Sequence, residues 1–373
     1  MLCPELCGSR RRGPRIAADM SMSRTPSEAL ILALRGTPPA DADWLPVIEV
    51  ASRCWMTPAL FVALDGCGGL SALPADACDY LAFIHDRNRQ RNLLLRDQLV
   101  EAVAALNRSG IQPILLKGAG TIFSAPERTL GARMMSDLDL LVQDAEISVA
   151  NAVLAGLGYR AAEDGEHGVW RPQDAGALEL HSPGTVSGLD GAAIADAAQF
   201  STVMRDAAQA RLPSPTLRAL NLIVHDLIKD GDYWRGTIDL RHLHDLAELS
   251  QTPQGIDWLC LSRLLAGRLQ RNAFQTQLLT LRELFEVPVP DALCRNLVPR
   301  AQHWRRMAQL RHPRLAMPLR FAGAAAWLGR RIRTKRGPRF TAADFAPRVF
   351  RKLMQGRREV AAALMGIHLG PKL

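Results

Sequence analysis

The chain has 373 residues, 48% apolar and 22% charged, the balance of a globular protein with a sizeable core. No apolar run approaches the ~18 residues that a membrane-spanning helix needs. The longest, at 321–329, is short and edged by Arg320, Arg330 and Arg331, which excludes a helical span. The seven cysteines are odd in number and contain no C-x-x-C pair, so they read as reduced thiols rather than a disulfide framework or a zinc site.

Residues 1–25 carry positive charge but no apolar stretch after it, so they do not read as a secretory signal. They are expected to form a disordered tail, with Met20 or Met22 as alternative starts. Residues 26–110 read as an N-terminal helical region. Two helices are expected over 27–66, "PSEALILALRG" and "WLPVIEVASRCWMTPALFVAL", and then a long one from Asp76. In that third helix Leu94, Leu95, Leu99, Val103 and Leu106 recur at helical spacing, and Gly110 makes its stop.

The period then changes. "IQPILLKGAG" predicts a buried strand at 111–116, a glycine turn at Gly118, and a short helix over 119–124 whose N-terminus can face a phosphate. An irregular segment leads to "MMSDLDLLV" (134–142), a strand with Asp137 and Asp139 at its mouth. Residues two apart on a strand share a face, so these carboxylates project together and repel unless a cation compensates them. A helix capped by Asp144 and ended by Gly158 should follow, then two strands, "HGVWRP" and "GALELHSP", around a turn at 172–176. If the second lies beside the Asp137 strand, Glu179 completes a three-carboxylate cluster. Three hard oxygens at one sheet edge suit Mg²⁺, and two such ions suit phosphoryl or nucleotidyl transfer.

From about 200 onward the pattern reads as helical. From Arg300 the chain carries 18 Lys and Arg against two acids, while the rest holds 28 basic and 35 acidic residues, so the basic character belongs to the C-terminus. Such a region suits an anionic partner, either an anionic polymer or an acidic membrane surface. The alternative is a solvated, Arg-rich helical face.

The ordered motifs, "RNLLL", "ILLKGAG", "ARMMSDLDLLV", "LELHS" and "VHDLIKDG…TIDLRHLHDLAEL", span roughly 85–250. Together they resemble the uncharacterised bacterial nucleotidyltransferase group of the DNA polymerase β-like superfamily. The resemblance implies an α+β fold: a small mixed-sheet core over 111–200, a helical domain over 201–299, and a basic helical region over 300–373. It also implies an NTP substrate, an acceptor of unknown identity and a setting in polysaccharide biosynthesis. Carried over by residue, Asp137, Asp139 and Glu179 are the catalytic metal ligands for Mg²⁺, with two ions expected. Gly118 is the nucleotide-loop glycine, and Arg133 is the expected phosphate-binding arginine, with Arg128 weaker in that role. The superfamily's Gly-Ser pair is replaced here by Gly118-Ala119 after Lys117, so Lys117 is the candidate to supply the missing phosphate contact. The other reading of Arg133 is a structural ion pair.

His181 shares the face of Glu179, either orienting a metal-bound water or buried in a hydrogen bond. His225, Asp226, Asp239, His242, His244 and Asp245 admit a rival, a His-Asp metal phosphohydrolase, but no convincing helical histidine precedes them. His225 and Asp239 read better as braces between the helical domain and the cleft. Tyr233 and Trp234 read as loop residues, able to stack on a base or to anchor the loop. A cytoplasmic enzyme, with peripheral membrane contact allowed, is the reading that unites these features. A non-catalytic nucleotide- or anionic-polymer-binding module is the alternative.

Overall fold

Polar residues on the buried face of a long helix organise the core. In the computed structural model, which describes residues 24–161, 168–183, 186, 196–265 and 267–335, this helix is α4 (Ala75–Arg108). Before it come α1 (Pro26–Leu34), α2 (Trp44–Arg53) and α3 (Thr57–Gly66). The second helix expected from the sequence is thus two. Pro58 lacks an N–H and would crowd the carbonyl of Cys54 four residues back, and the chain breaks there with Trp55 at φ +56°.

The sheet has seven strands among the described residues: β1 (Ile114–Leu115), β2 (Asp137–Leu141), β3 (Arg160–Ala161), β4 (Gly168–Trp170), β5 (Ala177–His181), β6 (Phe200–Arg205) and β7 (Ala208–Pro213). Their order is β3-β4-β5-β2-β1-β7-β6. β2 runs parallel to β5 and antiparallel to β1, so the sheet is mixed. Helix α5 (Lys117–Ser124) follows β1, and α6 (Ile147–Gly156) follows β2 through a 3₁₀ turn. The cap before that turn is Gln143, whose backbone N–H donates to Glu146 at 2.9 Å, and not Asp144 as expected.

The expectation of helices from about 200 is corrected by the β6–β7 hairpin. Its Ala-rich sequence hides a two-residue turn at 206–207, where Asp206 takes the left-handed backbone (φ +52°) that such turns demand. Helices resume with α7 (Pro215–Val224), α8 (Asp232–Arg235), α9 (Leu240–Ser250), α10 (Trp258–Leu264) and α11 (Arg268–Phe285). They end with α12 (Leu297–Arg311) and α13 (Pro313–Lys335). Tyr233 and Trp234 lie in the one-turn α8 rather than a loop, with Tyr233 buried. The expected disordered tail falls outside the described residues except for its last two, as does the basic region beyond Lys335.

Two apolar cores result. One joins α1–α3 to the helices after the sheet, and the other packs the sheet against α5, α6 and the second half of α4. Helix α4 contributes to both, through Leu81 to the first and Leu95, Leu99 and Leu106 to the second. This α+β arrangement, a mixed sheet flanked by helical regions, is the one expected. It leaves the N-terminal end of β2 facing the helical layer.

Candidate active site

The register of β2 on β5 pairs Asp139 with Glu179 and Leu141 with His181. In a parallel pair, side chains at matched positions lie on one face, so the carboxylates of Asp139 and Glu179 and the His181 ring converge. Each offers one ligand atom, and the three atoms lie within 4.8 Å of one another. Asp137 shares the face at the strand's first residue but stands outside that group, its carboxylate accepting from Ser136 Oγ at 3.1 Å.

Asp139 is buried, with 1% exposure, and an isolated buried carboxylate would be costly. Two donors compensate it, and both land on Oδ1: Lys117 Nζ at 2.9 Å and His181 Nε2 at 2.8 Å. Burial alone would raise the Asp139 carboxyl; the bonds from His181 and Lys117 outweigh it and hold the group well below the ordinary carboxylate range. Glu179 shifts the other way, raised by burial and by the charges of Asp139 and Asp137. Lys117 stays firmly charged, because Asp139 outweighs the desolvation that would lower it. Lys117 also holds a left-handed backbone, φ +42°, which is uncommon for a side chain of its kind. The cation beside Asp139 here is therefore the Lys117 ammonium.

Gly118 follows at once. A Cβ built on it would sit 2.6 Å from Arg133 Nη1 and 2.9 Å from the Met135 methyl. Arg133 is in turn pinned from the helical layer, its Nε and Nη2 donating to the Asp245 carboxylate of α9 at 3.1 and 2.7 Å. The ion-pair reading of Arg133 is thus realised, but with Asp245 rather than one of the clustered acids, while Nη1 lies against the Gly118 turn. Burial works against both charges, yet Arg133 holds the Asp245 carboxyl down to about 2.

The segment entering β2 is held by α4. Asn88 Nδ2 donates to the carbonyls of Gly131 (2.7 Å) and Arg133 (3.1 Å), and Asn92 Nδ2 to those of Leu130 (2.6 Å) and Arg133 (2.8 Å). Arg91 donates to the carbonyls of Met135 and Ala175. Asn88 and Asn92 were not singled out in the sequence. The legible signal was their spacing of four on a helix face that is otherwise apolar.

Behind Asp245, Asp239 caps α9 by accepting from the His242 N–H at 3.1 Å, and His242 Nδ1 meets Asp226 at 2.7 Å. His225 lies 3.4 Å from Asp226 and 3.7 Å from Asp230. Asp226, Asp239 and His242 are buried together. Burial alone would lower His242; the carboxylates of Asp226 and Asp239 outweigh it and raise it.

Because Arg133 cannot back away from Gly118 without straining its two bonds to Asp245, Gly118→Ala is expected to displace the guanidinium. Any phosphate ligand that this guanidinium holds should bind roughly tenfold more weakly, the worth of one charged hydrogen bond, with the melting temperature little changed. Unaltered affinity by titration calorimetry would show that Arg133 holds none.

The family model described as uncharacterised nucleotidyltransferase matches residues 40–286, which contain every element of this site. No curated protein and no solved structure matches the chain significantly.

Proposed function

The chain belongs to this uncharacterised nucleotidyltransferase family, and from that premise we propose that it transfers an NMP from an NTP to a hydroxyl or phosphate acceptor at the β2–β5 edge. The observation that supports this most is the parallel pairing of Asp139 with Glu179. It brings two carboxylates from distant segments together where the nucleotide glycine follows a neighbouring strand.

The donor set fits a divalent cation. Carboxylates suit Mg²⁺, and an imidazole beside them also admits Mn²⁺. Asp139 and Glu179 would hold it, with Asp137 completing the set for two ions. Such a cation, when bound, draws charge from the phosphoryl oxygens and acidifies the acceptor hydroxyl.

The chain's own groups supply the rest. Lys117 and Arg133 Nη1 flank Gly118 and receive the triphosphate, and the Gly118 amide in the first turn of α5 can add a donor, those of Ala119 and Gly120 being bonded to the Leu116 carbonyl. The acceptor oxygen attacks the α-phosphorus, the bond from that phosphorus to the bridging oxygen breaks, and pyrophosphate leaves. Glu179 takes the acceptor proton on the carboxylate oxygen turned away from the cation, while His181 Nε2 keeps Asp139 oriented. The acceptor class, a sugar phosphate or glycan precursor among others, follows only from the resemblance.

Lys117 is the positive charge that compensates Asp139 when no metal is bound, and it is also the charge that meets the triphosphate. Lys117→Met is therefore expected to bind Mn²⁺ more tightly without nucleotide and the NTP more weakly with it, each by roughly tenfold. Titration calorimetry with each of the four NTPs and Mg²⁺ tests the whole reading. Metal-dependent binding of one of them, weakened in Asp137→Asn/Asp139→Asn, supports it. Binding without pyrophosphate release for any acceptor offered would favour the non-catalytic module.

A further inference from the structure

The matched family span ends at residue 286, and beyond it α12 and α13 form a hairpin. Its turn lies at His312, and Gly323 of the returning helix sits against the Trp234 carbonyl and the Arg305 guanidinium. The inner side of α12 is tightly bonded: Arg306 donates to Gln277, to Thr280 and to the Thr237 carbonyl, and His303 meets Glu283. The outer side is unlike the rest of the surface. Six of the sixteen large exposed apolar side chains among the described residues fall within 297–321, including Leu297 at 80% and Trp304 at 70%.

These side chains are ordered by helical spacing. On α12, Leu297, Arg300, Trp304 and Arg311 recur at three, four and seven residues, one stripe of a helix. On α13, Arg314, Pro318 and Phe321 recur at four and three, with Leu315 and Met317 beside them, all exposed. Apolar residues scattered singly need no explanation, but six exposed within 297–321, in an acid-free stretch, do. Between Asp291 and Asp344 the sequence has no acidic residue and 13 Lys and Arg.

Beside the Trp304 stripe lies an open hollow of about 820 Å³, lined by Arg282, Glu283, Asp291, Arg295, Arg300 and Arg311 among others. Arg282 is paired with Asp291, and Arg311 with Glu283 and Glu28. Arg295 and Arg300 have no ionic partner among the described residues. The hollow thus has two uncommitted guanidiniums next to an exposed indole.

We propose that the α12–α13 hairpin docks the protein on an acidic bilayer surface, with Trp304, Leu297, Leu315 and Phe321 entering the headgroup–acyl boundary and Arg295 and Arg300 meeting lipid phosphates. Charge complementarity names an anionic partner, and the aliphatic members decide among anions. A nucleic acid stacks on aromatics and pairs with arginines but gives Leu297, Leu315 and Met317 nothing apolar to enter. A bilayer interface takes all three kinds of side chain. Among the described residues no helix is long and apolar enough to cross a membrane, so the contact is a surface one. This docking is independent of the nucleotide site.

The test uses the full chain, sedimented with vesicles of phosphatidylcholine with or without phosphatidylglycerol. It is expected to pellet only with the anionic vesicles, and less as salt rises. Trp304→Ser/Phe321→Ser should lower the partition coefficient by about tenfold or more, and Arg295→Gln/Arg300→Gln roughly thirtyfold, with circular dichroism unchanged. Wild-type tryptophan fluorescence, quenched by brominated acyl chains in anionic vesicles, gives the same answer without any variant. Failure to pellet with the anionic vesicles, or pelleting that both double variants leave intact, overturns the proposal. Single-stranded RNA binding that Trp304→Ser/Phe321→Ser weakens, without vesicle binding, reassigns the surface to nucleic acid and overturns it equally.

Discussion

Asp139→Asn is expected to lower NMP transfer roughly a thousandfold, the several kcal/mol that a metal-binding carboxylate contributes to the transition state. Asparagine keeps the size of the side chain and still accepts from Lys117 and His181, so the local fold has no steric reason to change. What it loses is the charge. Lys117 would then stand beside a neutral amide, free for the triphosphate, so NTP binding measured without a divalent cation should hold or rise, its metal-dependent part should fall, and turnover should collapse. That split between binding and rate separates a catalytic loss from a folding loss. Asp137→Asn is expected to abolish turnover as well, although Asp137 stands outside the group formed by Asp139, Glu179 and His181. Wild-type-like pyrophosphate release in folded, monodisperse Asp139→Asn would sink the assignment of this edge as the reaction centre.

The part of the site built on strand period was legible in the sequence. Asp137, Asp139 and Glu179 sit on runs whose alternation admits one orientation, and a single assumption, that the two strands are neighbours, brought Asp139 to Glu179. The structure has that pairing at matched register. What failed to show were contacts set by tertiary approach. Nothing near Arg133 indicates that its partner lies 112 residues on, in α9, since an Asp on a helix face reads the same whether solvated or paired. Lys117 was legible as a charge at the glycine turn but not as the counter-ion of Asp139. That pairing depends on the backbone at Lys117 turning left-handed, and only glycine advertises such a turn in sequence. The β6–β7 hairpin was lost for a related reason: alanines suit a helix by propensity, and the packing of Ala208 and Ala210 into the core overrode it.

The Arg133–Asp245 pair joins the sheet segment to the helical layer, and breaking it should cost the most stability of any single change here. Each side chain is 15% exposed, and Asp245 accepts two parallel bonds from one guanidinium. Asp245→Asn leaves a charged arginine in that setting without its counter-ion, which typically costs about 3–5 kcal/mol. An apolar double replacement, Arg133→Met/Asp245→Leu, removes both charges and should recover much of that loss while leaving NTP affinity low. Acid provides a second readout. Asp245 titrates near 3.8 when unfolded and at about 2 when folded, so the folded state binds its proton more weakly. Its contribution, about 2 kcal/mol, is complete above pH ~4 and disappears as the pH falls toward ~2. Denaturation by urea from pH ~5, about one unit above the unfolded value, down to pH ~2, at the folded one, should show a shallower decline in Asp245→Asn than in the wild type. If the variant matches the wild type in stability at neutral pH and in its acid slope, the pair does not hold the sheet to the helical layer. Arg133 would then have to be positioned for the nucleotide by its α4 contacts alone.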